Sequence, residues 1–250
     1  MITPLEVRQK IDKFLLSVQK PGRYVGGEYG QFVKDWDAVQ THFAIVFPDL
    51  YDIGVPNLGV TILYDLINSR SDALCERSYL PWVDMESLMR ENNVPLYSLE
   101  SFHPLADFDI IGFTLPYETI YTNVLNVLDL AQIPLHSKDR DGSHPLIIAG
   151  GHAAYNPEPM SKFIDAFVIG EGEEVIHEIL VISAECKKNN LSRAETLIEL
   201  QQIPGIYIPF VEGIRSFRSN SQYRRKTLLF CIARRNYPER WNRDLPAFLH

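Results

Sequence analysis

Cysteine is scarce in this 250-residue chain: Cys75, Cys186 and Cys231 stand far apart, with no CxxC, CxxxC or Cys/His cluster. Local spacing therefore builds neither a zinc knuckle nor an iron–sulfur site, and an odd, sparse set argues against a secreted disulfide scaffold. Three buried or incidental thiols are the expectation. Long apolar runs are missing as well. No window approaches the ~20 apolar residues of a membrane span, and the opening MITPLEVRQKIDKFLLSV, with charges scattered through it, is not a signal peptide. A cytoplasmic protein without membrane contact is expected. Nor does the chain carry GxGxxG, GxxxxGK[ST], a nucleophile elbow or HExxH, which leaves dinucleotide, P-loop and hydrolase chemistry unsupported. Basic residues are outnumbered 24 to 32, so the whole surface does not coat nucleic acid.

What remains is a globular composition, 46% hydrophobic and 22% charged, in a chain long enough for one large domain or two small ones. Val7, Ile11, Phe14, Leu15 and Val18 recur at helical spacing behind Thr3-Pro4, which predicts an N-terminal helix. A loop follows in PGRYVGGEYGQ, with four glycines and no period. From Thr41 onward short apolar runs, FAIVF (43–47), DIIGFTL (109–115), PLIIAGG (145–151) and DAFVIGE (165–171), read as parallel strands buried on both faces. Helical periods separate them at 58–67, 85–90, 120–130 and 173–180. ALCERSY (73–79) and PLYSL (95–99) are weaker strand candidates. Ser192 and Glu195 have capping-box spacing before a helix to Leu200, and IYIPF (206–210) reads as an edge strand because Pro209 lacks a donor. The pattern predicts a doubly wound, mostly parallel α/β sheet of flavodoxin-like Rossmann type.

Charge is divided unevenly. Residues 213–250 hold nine basic and two acidic side chains, leaving 15 and 30 to residues 1–212. The expected division is an N-terminal helix and Gly-rich loop (1–40), an α/β domain (41–212) and a basic tail or truncated linker (213–250).

Ligands of an open parallel sheet bind outside the carboxyl ends of its strands. The segments there are PDLYDIGVPNLG, PYET, GHAAYNPEP and EGEE. Gly54 and Gly59 flank a helix start whose amides, near Val55 to Leu58, point to an anion or to a plain turn capped through Pro56 and Asn57. Gly150 and Gly151 permit close approach to backbone, and His152 is either an acid, base or ligand or a structural residue. Glu171, Glu173 and Glu174 suit the positive end of a helix.

Taken together, the segments FAIVFPDLYDIGVPNLGVTILYDLIN, ERSYLPWVDMESLMRENNVPLYSLES, DFDIIGFTLPYETIYTNVLNVLDLA, LIIAGGHAAYNPEPMSKFIDAFVIGEGEE and IPGIYIPF, with the earlier RYVGGE, resemble the N-terminal region of radical SAM proteins that carry a cobalamin-binding-type domain. The resemblance spans roughly residues 5–210. It implies a Rossmann-like module preceding a barrel whose CxxxCxxC motif holds a 4Fe–4S cluster that cleaves S-adenosylmethionine to a 5′-deoxyadenosyl radical. This chain has no CxxxCxxC, so cluster and S-adenosylmethionine are expected only in that barrel. The barrel is expected in cis if the chain is a fragment, and otherwise as a separate subunit. The D-x-H-x-x-G loop that supplies a histidine to cobalt is also missing, so cobalamin would bind through a glycine-lined crevice without one. The resemblance implies a crevice of Asp49, Tyr51, Gly54, Leu115, Tyr117, Gly150, Gly151, His152 and Glu171, acting through backbone approach, ring contacts and polar anchoring, with no catalytic residue or metal ligand. The alternative is a non-catalytic interaction module whose tail, residues 213–250, docks on RNA or on a separate radical SAM subunit.

Overall fold

A computed structural model describes residues 2–209. The basic tail, on which the expectation of RNA docking rests, and the end of IYIPF lie outside the described residues.

Thr3 and Glu6 form the first local signal: the Thr3 hydroxyl accepts from Glu6 N (3.3 Å) and the Glu6 carboxylate from Thr3 N (2.8 Å). This capping box starts α1 (Pro4–Phe14), which tightens into a 3₁₀ turn at Leu15–Ser17 instead of running on to Val18. There follow β1 (Thr41–Phe47), the single turn α2 (Tyr51–Gly54), α3 (Leu58–Asn68), β2 (Ala73–Tyr79), α4 (Val83–Glu91), β3 (Ile110–Thr114) and α5 (Tyr121–Leu130). The second half comprises β4 (Leu146–Gly150), β5 (Ala166–Val168), α6 (Gly172–Lys188), α7 (Arg193–Leu200) and β6 (Ile206–Tyr207). Two 3₁₀ turns, His152–Tyr155 and Glu158–Met160, stand between β4 and β5 where a helix is usual.

Among the described residues the sheet has six strands in the order β2-β1-β3-β4-β5-β6, with β6 antiparallel at the edge. Every residue of β1 is buried, as its unbroken apolar run requires. α3 packs against α6, and right-handed crossovers are expected to carry α4 and α5 to the opposite face of the sheet. Arg90 joins the latter pair through Asp129 (2.7 Å) and Asn126 (2.7 Å). Val7 and Ile11 of α1 belong to the same core as the strands. No described helix is long and apolar enough to cross a membrane.

PLYSL is not a strand. Its backbone bonds to several parts of the chain in turn, Leu96 N to Leu130 O (3.0 Å), Ser98 N to His103 O (3.0 Å) and Leu99 N to Arg77 O (2.9 Å), so the segment crosses the edge of β2 without lengthening the sheet. Residues 20–36 form a strap round that same edge. Its far end is held by Lys34, whose ammonium donates to the carbonyls of Asn68, Arg70 and Ala73 (2.6–2.8 Å), from the end of α3 to the start of β2.

Candidate functional site

Because β1 to β5 are parallel, the loops that follow them lie along one edge of the sheet. The order of connections reverses between β1 and β3, where this fold class opens a crevice. Here Asn123 Nδ2 spans that point and donates to Pro48 O (3.0 Å).

On the β4 side the chain is tightly bound. Leu115 N donates to Gly150 O (2.8 Å) and Leu115 O accepts from Ala153 N (2.9 Å), while the Leu115 side chain is fully buried. Gly151 has φ +100°, and a Cβ there would lie 2.8 Å from Leu115 O. Its missing side chain is therefore demanded by the protein backbone itself. Gly150 has no such neighbour: its Cβ would meet only Val168, at 3.7 Å. His152, Tyr155 and Tyr117 project from this junction and are exposed, with the His152 and Tyr155 rings 6.1 Å apart. Glu171 is the exposed N-cap position of α6 and makes no side-chain capping bond.

The first loop turns the other way. Asp49 accepts from Leu50 N (2.7 Å) with its carboxylate and from Leu80 N (3.0 Å) with its carbonyl, tying the ends of β1 and β2 together. The Tyr51 phenol donates to Glu28 of the strap, and burial with that carboxylate pushes it up to about 12. Gly54 is buried beneath Tyr79, whose Cε1 would be 2.5 Å from a Cβ. Val55 N and Asn57 N donate inside the turn, and Asn57 caps Val60 N (3.1 Å), so of the two readings the turn capped through Asn57 is the one that forms, and the amides of Val55 and Asn57 are not left for an anion. The structure thus gathers Leu115, Tyr117, Gly150, Gly151 and His152 at the β3/β4 end, and Asp49, Tyr51 and Gly54 beside β2.

Sequence reasoning missed a buried polar network on β2. Arg77 pairs with Glu28 (2.6 Å) and Glu100 (2.7 Å), and its guanidinium lies 4.5 Å over the Tyr64 ring. Burial pulls Arg77 down, but the two carboxylates outweigh it and hold the guanidinium above its usual range. Burial pushes Glu100 up to about 7 against the pull of Arg77. On the opposite face of the strand, Glu76 accepts from Ser101, which bonds His103 Nδ1 (2.6 Å). The signal was present: Glu-Arg-Ser inside a strand buried on both faces requires partners.

One further property distinguishes this edge. Of fourteen large apolar side chains exposed among the described residues, six stand on it: Trp82 and Val83 after β2, Ile53 and Leu58 after β1, Tyr117 after β3 and Tyr155 after β4, each 39–70% exposed. Strand order arranges them as a row.

A profile of the family described as radical SAM proteins, N-terminal, matches residues 59–209, from the first turn of α3 to two residues beyond β6. The chain belongs to this family. It is also similar to an uncharacterized protein of Methanocaldococcus jannaschii, 27% identical over 142 residues that make up 55% of this chain and 26% of that protein. The chain thus spans about a quarter of the length of that relative. No solved structure matches it.

In this radical SAM N-terminal domain the glycine-lined crevice expected from the sequence is open at Gly150 but occupied at Gly54 and Gly151. His152 sits at the surface in a 3₁₀ turn, and the spaces above Gly54 and Gly151 are filled by Tyr79 and by the Leu115 backbone. Cys75 and Cys186 are both buried, and no three His, Cys, Asp or Glu side chains among the described residues come together as a metal-holding group.

Proposed function

We propose that this domain is a cap for a radical SAM barrel, with the loop edge after β1–β4 as its docking face. The row of Trp82, Val83, Ile53, Leu58, Tyr117 and Tyr155 carries the reading, because a surface that exposes such side chains gains by covering them. Membership of a radical SAM N-terminal family supplies the chemistry of the partner. The barrel would bring the cluster and S-adenosylmethionine. This domain would contribute an apolar cover that keeps water from the reacting radical.

The test is co-purification of the chain with a separately expressed radical SAM barrel that carries CxxxCxxC. Wild type is expected to co-elute, and the pair Trp82→Ser with Tyr117→Ser to lose association while its melting temperature stays unchanged. Association that survives the double substitution refutes the docking face. The cofactor-holding version of the same edge is tested with hydroxocobalamin. No retention and no shift of the visible spectrum at high micromolar concentration is expected, and a shifted spectrum would replace the cap reading with that one.

A further inference from the structure

Four tyrosines converge where the strap meets the end of β2, and three of their hydroxyls have partners. Tyr24 Oη accepts from Trp82 N (3.2 Å), Tyr51 Oη donates to Glu28, and Tyr97 Oη donates to Tyr24 O (3.1 Å). Tyr79 is only 7% exposed, and its hydroxyl has no hydrogen-bond partner among the described residues; the same holds for Arg23 Nε. Both residues line one cavity of about 20 Å³, together with Tyr24, Tyr51, Leu80 and Tyr97. Buried polar atoms are seldom left unpaired, so two of them on residues that line one small cavity point to a guest that pairs with both.

Size and charge select the guest. A cavity of this volume takes one water and excludes phosphate or any organic group. Arg23 Nε can only donate, while the Tyr79 hydroxyl donates or accepts, so the guest must carry lone pairs. Asp52 already neutralises Arg23 (2.5 Å), and Tyr51 holds Glu28 close by. That carboxylate-rich setting favours a neutral guest over a halide.

We propose that a single buried water molecule binds here, accepting from Arg23 Nε and bonded to the Tyr79 hydroxyl. It joins the strap to the end of β2. Since Tyr24 on the same cavity holds Trp82 N, the water also helps fix the β2 end of the exposed row.

The full chain tests this with Tyr79→Phe, Arg23→Lys and the double variant, followed by thermal denaturation. If the water is bound, Tyr79→Phe lowers the melting temperature by about 2–4 °C, because the water and Arg23 lose a partner. An unchanged or raised melting temperature overturns the proposal, since deleting a hydroxyl that bonds nothing costs nothing. The double variant is expected to melt close to the lower single, and fully additive losses would mean that the two residues share no guest. A crystal structure decides the identity. One-atom density within about 3.2 Å of both atoms is expected; no density, or a bromide anomalous signal after exchange, overturns the water.

Discussion

Gly151→Ala separates a glycine required by the protein from one reserved for a ligand. Gly151 sits at φ +100° and ψ −175°, a region essentially closed to side chains, where an L-residue pays about 1–3 kcal/mol. The added Cβ would also stand 2.8 Å from Leu115 O and 3.1 Å from Leu115 C and N. That backbone cannot yield freely, because Leu115 is held by Gly150 O on one side and Ala153 N on the other. Relieving the overlap costs about 1–3 kcal/mol more. At roughly 2–4 °C per kcal/mol for a domain of this size, Gly151→Ala should lower the melting temperature by at least about 4 °C. Gly150→Ala is the control. Its Cβ meets only Val168 Cβ (3.7 Å) and Val168 O (3.9 Å), ordinary contacts, so a change within about 1 kcal/mol is expected. Thermal and urea denaturation followed by circular dichroism measure both. Equal melting of the two variants would refute the reasoning and return Gly151 to a role in ligand approach.

Arg77→Met removes the cation between Glu28 and Glu100 and should cost about 3–5 kcal/mol in urea denaturation at pH 7.5, less at pH 5 where Glu100 can take up a proton; equal costs at the two pH values would count against the network. Glu100 gives a pH dependence of definite sign. Its carboxyl is raised from 4.5 to about 7, so its contribution to stability is complete below about 4.5 and is lost as pH rises to about 7. Glu100→Gln should flatten that part of a plot of melting temperature against pH, and an unaltered slope would show that Arg77 keeps the carboxylate ionised. Asn57→Ala removes the acceptor for Val60 N and should destabilise α3 by about 1 kcal/mol, read as a lower urea midpoint.

Elements built on short-range rules were readable from the residues alone. The capping box of Ser192 with Glu195 formed because its partners lie three positions apart, and Thr3 ahead of Pro4 starts the first helix as expected, with Glu6 completing a second box that the structure added. The apolar runs at 43–47, 109–115, 145–151 and 165–171 became β1, β3, β4 and β5 because a strand covered on both faces admits little else. PLYSL misled because strand propensity does not register that its backbone bonds would go to Arg77, His103 and Leu130. The same limit explains the β2 network: Glu-Arg-Ser announced a need for partners, but Glu28 and Glu100 came from the strap and from the segment crossing the strand edge.

Composition and periodicity thus settled the class of sheet, the edge where its loops gather and the lack of a cluster-binding cysteine motif, since these depend on local pattern and on the handedness of crossovers. Only the tertiary structure decided what each candidate residue does there. Gly54 and Gly151 look alike in the chain, yet one is filled by the ring of Tyr79 and the other by the backbone of Leu115, while Gly150 remains open. What a glycine admits, or a phenol bonds, is decided by atoms far away in sequence, and their approach exists only once the sheet has closed.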